Sequence, residues 1–432
     1  MSTFQIVVLG IFSSLILIGV GVFAAFGGVF SGGNIGAVVI WGTVDSQTME
    51  GVIGELRTGD NSFEKVTYVH KDQATYSAEL VNAMANGTGP DLFLVAGKDL
   101  HSFSDKIITI PYSVIPQGSF LASYVDEGHL FLNSEGALAL PFTIDPIVMY
   151  WNRDLLASSG VATPPRFWND FFTLAPKITS LDARSTVKKS AVALGEWRNI
   201  PNAKAVLAAL FMQAGDTIVG TDQSGNTAVV FGSTPEGSSA NPAESALRFY
   251  TEFANPTKTS YSWNRSLPRA DNVFVAGDLA VYFGFASEYN TLRARNPNLR
   301  FGVGLLPQIE GNATRVTYGD MSGFAVTRTA RNVQGALAIA QKLSGQKGAA
   351  LIAGALSLPP VRRDVPVDTN ANAAAGVFVE SALIARGWLD LSPADTNVLF
   401  QTMIESVVSG KATTAGAVSE GAQALQLLLH RQ

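Results

Sequence analysis

The side chains best suited to chemistry in this chain are carboxylates, amides and tryptophans in polar surroundings, and none has the spacing of a catalytic centre. Its four histidines, His70, His101, His129 and His430, are scattered, which suits surface or core histidines better than metal ligands. There is no H-E-x-x-H pair and no G-x-S-x-G turn, and Gly410-Lys411 lacks the upstream glycine and following hydroxyl of a phosphate loop. With no cysteine, the chain has no disulfide, thiolate metal site or cysteine nucleophile, and no lipid attachment through an N-terminal cysteine. This pattern predicts a protein that is not an enzyme and needs neither cofactor nor metal. Binding chemistry remains. Lys98 and Asp99 sit just past the strand-like run Asp91 to Ala96, at the carboxyl end where open α/β sheets take ligands. The bland alternative is a solvated charge pair. Trp197, in Gly195-Glu196-Trp197-Arg198-Asn199, reads either as a stacking platform or as a core tryptophan.

The elements that must position these groups alternate. Ala37 to Trp41 reads as a strand buried on both faces, Glu50 to Arg57 as a helix, and Lys65 to His70 as a second strand. Ala74 to Ala85 carries Tyr76, Leu80, Val81 and Met84 on one helical stripe, and Asp91 to Ala96 follows as a third strand. Such alternation predicts a parallel sheet covered by helices. Further along, Gly136 to Pro141 and Ile147 to Trp151 are strand-like, and Phe167 to Leu174 begins a helix. Asn241-Pro242-Ala243-Glu244 starts another helix, and Ala373 to Leu429 is nearly all helical. The Gly-, Ser- and Thr-rich Gly215 to Ala240 reads as a surface hairpin and loop.

The chain has 432 residues, 47 % hydrophobic and 15 % charged, long enough for two lobes. A net charge of −5 and the lack of a basic stripe exclude a nucleic-acid surface. No charged side chain precedes Asp45, and Ile6 to Phe30 is almost wholly apolar. As a helix that run spans roughly 37 Å, against about 30 Å of bilayer hydrocarbon. The expectation is a retained single-pass anchor, with the N-terminus inside, the folded part outside and Ser31-Gly32-Gly33-Asn34 as a tether. A cleaved signal peptide is the competing reading.

Five patches resemble the family 1 extracellular solute-binding proteins of ABC importers, the group that includes maltose-binding protein. They are Val39-Ile40-Trp41-Gly42; Met84 to Leu92, similar to "A-x-G-T-G-P-D"; Leu140-Pro141 with Met149 to Leu155, similar to "Y-Y-N-K-D-L"; Pro164 to Trp168, similar to "P-P-K-T-W"; and Phe274 to Val281 with Gly302 to Pro307. Each patch is weak alone, and their order and spacing carry the likeness. Gly87 and Gly89 suit a tight turn with positive φ, and Asn152 and Asp154 suit a helix cap.

The resemblance implies an α/β, two-lobe periplasmic-binding-protein-like fold of type II, plus the N-terminal transmembrane helix. It places residues 35–143 with 300–346 in one lobe and 144–299 with 347–432 in the other. The chain would cross near Thr143–Pro146, Leu299 and Ser344. A small polar solute, expected to be a sugar or oligosaccharide, would be trapped between the lobes of a monomer that delivers it to ABC permease subunits. A ligand-sensing receptor with the same fold is the alternative. The resembled fold directs Trp41, Asp45 and Ser46 toward the cleft, although Asp45 equally suits an N-cap for the helix near Thr48. Asp145 lies in a crossing segment, where Pro141 and Pro146 favour extended backbone. Ser287, Glu288 and Tyr289 follow a Gly284-containing turn where the family places contacts, and Asn397 precedes the last long helices.

Overall fold

A computed structural model describes residues 35–221, 227–234, 240–368 and 373–430. The anchor and tether expected at residues 1–34 lie outside these. Among the described residues no helix is long and apolar enough to cross a membrane.

Strand β1 (Val38–Gly42) leads to helix α1 (Ser46–Arg57) and strand β2 (Val66–His70); helix α2 (Tyr76–Ala85) leads to strand β3 (Leu92–Ala96). The two outer strands pair in parallel with β1. Between α2 and β3, Gly87 takes φ 66°, which a side chain would strain. Gly89 does not need positive φ; a Cβ there would press to 3.3 Å of Met84. Asp91 then ties three elements together from a buried position. It accepts Val39 N–H at 3.0 Å, Arg331 N–H at 2.9 Å and Asn332 N–H at 3.0 Å.

The long strand β4 (Leu140–Asn152) runs into helix α3 (Arg153–Ser158), capped by Asn152 Oδ1 rather than by Asp154. Strand β5 (Val187–Val192), helix α4 (Ala203–Gln213), strand β6 (Leu279–Phe285), helix α5 (Glu288–Arg295), strand β7 (Phe301–Leu305) and strand β8 (Thr317–Val326) follow. The expected hairpin is present at Val219–Thr221 and Thr227–Val229. The helix expected from Phe167 starts at Asp170, because Asp170 Oδ2 accepts from Arg166 and Phe167 N–H and holds them as a turn. The C-terminal stretch forms helices Ala373–Leu383, α6 (Pro393–Val408) and α7 (Thr414–His430), with the short strand Ala385–Arg386 between the first two.

Strands β1 to β8, with the short strands Ser180–Leu181 and Ala385–Arg386, form one ten-stranded sheet with β4 near its middle, and the hairpin stands apart from it. The first half of β4 pairs antiparallel with β8, which pairs onward with β3. Its second half pairs antiparallel with β6 and β7. Two hydrophobic cores flank this junction. One gathers Ile40, Phe93, Phe324 and Ile339; the other gathers Tyr150, Trp168, Phe211, Trp263 and Phe400.

Two expected crossing points fall elsewhere. β7 pairs with Val148–Asn152 and Leu306 is buried in the second core, so the chain leaves that core through β8 and not near Leu299. Ser344 does not mark a crossing either. Its hydroxyl donates to Pro141 O at 2.6 Å, and Ala349, Ile352 and Val361 beyond it remain in the first core. The chain reaches the second core at Ala374 and Phe378, touches the first again at Ala382 and Ala385, and ends in the second from Trp388 onward.

Candidate functional site

Where β4 and β8 pair, the sheet changes character. β3 is buried along nearly its whole length, as a strand covered on both sides must be. In β8, by contrast, Thr317, Gly319, Met321 and Gly323 are buried while Tyr318, Asp320 and Ser322 are half-open. β4 does the same: Thr143 and Asp145 are half-open between buried Phe142, Ile144 and Pro146. The register sets Asp320 opposite Asp145 and Ser322 opposite Thr143, so these side chains share one face. Thr143 and Ser322 hydroxyls bond at 2.6 Å. A polar floor thus lies over the seam between two apolar cores.

Both halves of the molecule furnish its edges. From the first, Lys98 Nζ stands 3.7 Å from Asp320 Oδ2, and Asp99 lines a cavity of about 290 Å³ with Thr143, Ser322, Thr43 and Gln73. From the second, Ser287 N–H at the start of α5 donates to Asp145 Oδ1 at 3.0 Å. Lys204, in the first turn of α4, makes a 2.7 Å ion pair with buried Asp390 and donates to Thr396 Oγ1 at 2.8 Å. Its ammonium also faces the Trp388 ring, 5.6 Å from the centroid.

Charge accumulates here faster than it is neutralised. Burial, aided by the charges of Asp320 and Glu288, pushes the Asp145 carboxyl up to about 7 against its bond from Ser287. Burial also raises Asp99; Lys98 and Lys204 oppose this, while Asp320 and Asp390 add to it. The field at Asp99 therefore has sources in both cores. Burial lowers the Lys204 ammonium, and Asp390 works against the drop.

Of the residues singled out in the sequence, Lys98, Asp99, Asp145 and Ser287 gather at this floor. The others have different immediate partners. Asp45 is the N-cap of α1, accepting Thr48 N–H at 2.9 Å and Thr48 O–H at 3.0 Å, and Ser46 is exposed beside it. Trp41 packs at the edge of the first core under Lys71 Nζ, 3.9 Å from the ring centroid. Trp197 is half-buried against the second core. The Glu288 carboxylate is taken by Asn202 Nδ2 at 2.8 Å, Tyr282 O–H at 2.6 Å and Phe285 N–H at 2.8 Å. Tyr289 packs on Phe301 and Phe378 and lines a different pocket. Asn397 is exposed on α6, whereas its neighbour Thr396 is the buried partner of Lys204.

Asp320, Ser322, Tyr318, Lys204, Asp390 and Trp388 escaped the sequence reading. Lys204 alone carried a local signal, as the one charge in the helix Ala-Lys-Ala-Val-Leu-Ala-Ala-Leu-Phe-Met-Gln.

The chain matches a family described as bacterial extracellular solute-binding protein over residues 58–378. No curated protein matches it in sequence. Among solved structures, it is similar to a cyclo/maltodextrin-binding protein complexed with maltotetraose, at 16 % identity and a TM-score of 0.73, covering 92 % of this chain and 98 % of that one. It is also similar to a cyclic α-maltosyl-1,6-maltose binding protein from Arthrobacter globiformis, at 15 % identity and a TM-score of 0.75, over 93 % and 100 %. A third is an ABC transporter solute-binding protein from Thermotoga lettingae bound with α-D-tagatose, at 18 % identity and a TM-score of 0.65, over 91 % and 99 %. At these identities the likeness speaks for the fold.

Proposed function

The chain belongs to the bacterial extracellular solute-binding protein family, and from that premise we propose that it captures a saccharide over the floor formed by Thr143, Asp145, Asp320 and Ser322. One observation carries the reading: this seam is where paired strands turn polar side chains outward between two apolar cores. Carboxylates and hydroxyls there accept and donate hydrogen bonds to sugar hydroxyls. Tyr318, on the same face as Asp320, adds an aromatic surface for a pyranose ring. The saccharides named for the similar structures agree with this choice of solute class. The partners in this reading are the permease subunits of an ABC importer, and the reaction is capture rather than catalysis.

A solute touching both cores favours the form in which they are closest, so binding shifts the population toward closure. At a saccharide concentration a hundred times Kd, the stabilisation is about 2.7 kcal/mol. Small-angle scattering should show a smaller radius of gyration in saturating saccharide. An unchanged radius at saturation would remove closure from the account.

We place the folded part outside the cytoplasmic membrane, held by Ile6 to Phe30. The full chain should then remain with membranes through high-salt and carbonate washes. Recovery of a soluble mature form beginning near Ser31 would show cleavage instead.

A further inference from the structure

A second polar pocket lies beside the C-terminal end of β4, where Arg153 follows Asn152. Arg153 at the start of α3, Arg293 in the last turn of α5 and Arg300 just before β7 line it with Tyr289 and Asn296. Its volume is about 240 Å³. Three arginines lining one small pocket of a chain with net charge −5 call for a cause.

Ion pairing within the protein supplies little of it. Arg300 meets Asp154 at 3.3 Å, but both are well exposed, and such pairs contribute little. Among the described residues Arg153 and Arg293 form no ion pair. Arg153 stands 5.3 Å from the Trp151 ring centroid. Arg293 stands 5.7 Å from that of Tyr289 and donates to its hydroxyl at 3.3 Å. Arg295, two residues on, is by contrast held by Asp271 at 2.9 Å. Helix electrostatics accounts for Arg293, a cation at a helix C-terminus. It counts against Arg153, which sits at the opposite end of its own helix.

We propose that this pocket binds a phosphate-type oxyanion. Each guanidinium offers a planar fork of donors that matches two oxygens of such a group. The three arginines come from separate segments, α3, α5 and the stretch before β7, which suits a tetrahedral anion with several free oxygens better than a flat carboxylate. The Tyr289 hydroxyl accepts from Arg293 and keeps its own proton to donate. Free phosphate and the phosphate ester of a lipid headgroup share this chemistry.

The test is calorimetric titration of the full chain in detergent at low ionic strength, with inorganic phosphate and with glycerol 3-phosphate as probes. At least one should bind saturably, one to one. Tighter binding of the monoester identifies a headgroup-like source, and equal or tighter binding of inorganic phosphate identifies the free anion. Loss of each guanidinium should weaken binding about tenfold, so Arg153→Gln/Arg293→Gln should abolish measurable heat. Both side chains are exposed, so the melting temperature should hold. Arg153→Lys/Arg293→Lys, which keeps the charge and loses the forks, should bind weakly and gives the answer if the glutamine variant is unstable. No saturable binding of either probe, or equal affinity in parent and both arginine variants, would overturn the proposal.

Discussion

Replacing Lys204 by methionine should lower the unfolding free energy by about 3–5 kcal/mol, the range for breaking one side of a buried ion pair. The Asp390 side chain is 4 % exposed, and its nearest cation is Lys204 at 2.7 Å. Without that ammonium the donors left to the carboxylate among the described residues are neutral, Thr396 O–H at 2.8 Å and Ser392 N–H at 3.2 Å. Desolvation is then no longer offset. Methionine retains most of the contact with Trp388 and Phe400, so lost packing explains little of the expected deficit. The double variant Lys204→Met/Asp390→Leu separates charge from volume. It should recover most of the loss, because a buried pair replaced by apolar groups of similar size is often neutral. Chemical denaturation of the three proteins measures this. A single variant within 1 kcal/mol of the parent would show that solvent reaches the pair freely.

Asp145→Ala should weaken saccharide binding by roughly ten- to 150-fold, the equivalent of one hydrogen bond to a charged acceptor. It also removes the acceptor of Ser287 N–H, which positions the start of α5. Asp145→Asn keeps an oxygen for that bond and removes the charge, isolating the electrostatic part. The pH dependence has a definite sign. The folded carboxyl sits at about 7 against an ordinary 3.8, so the folded state holds its proton more tightly than the unfolded chain. The resulting destabilisation is absent below pH 4, grows between 4 and 7 and is complete above 7. At pH 8 Asp145→Asn should therefore be more stable than the parent by on the order of 1–2 kcal/mol after allowance for solvent screening, with no difference below pH 4. Saccharide hydroxyls donate best to the ionised form, so parental affinity should rise as pH climbs through 7. In the asparagine variant the profile should be flat. A parental profile equally flat from pH 5 to 8 would show that Asp145 does not touch the solute.

How legible each part was follows from the range of the interactions that make it. β1 and β3 announce themselves because a strand covered on both faces must be apolar throughout, and Val39-Ile40 and Leu92-Phe93-Leu94-Val95 are. The turn at Gly87 and the Asn152 cap are local devices, written in adjacent residues. Asp145 stood out through the prolines beside it. Asp320 had no such marker, and only pairing with β4 makes it half of a polar face. Trp388 and Asp390 likewise become site neighbours only when a distant loop packs against α4. Asp45 was open to two readings, a cleft contact beside a strand end or the N-cap of the helix near Thr48, and the free N–H groups of α1 claim its carboxylate. The crossing near Leu299 was implied by the resemblance alone, whereas the ladder of β7 with Val148–Asn152 fixes that strand in the second half.

The central claim is that polar groups on β4 and β8 form the saccharide site. Its most direct test is a thermal-shift panel of mono- and oligosaccharides run on the parent and on Asp145→Ala/Asp320→Ala. At least one saccharide should raise the parental melting temperature by several degrees in a concentration-dependent way, the stabilisation of about 2.7 kcal/mol expected near a hundredfold excess over Kd. The double variant should show no shift with the same saccharide. A panel without any shift, or a shift that survives undiminished in the double variant, would contradict the account.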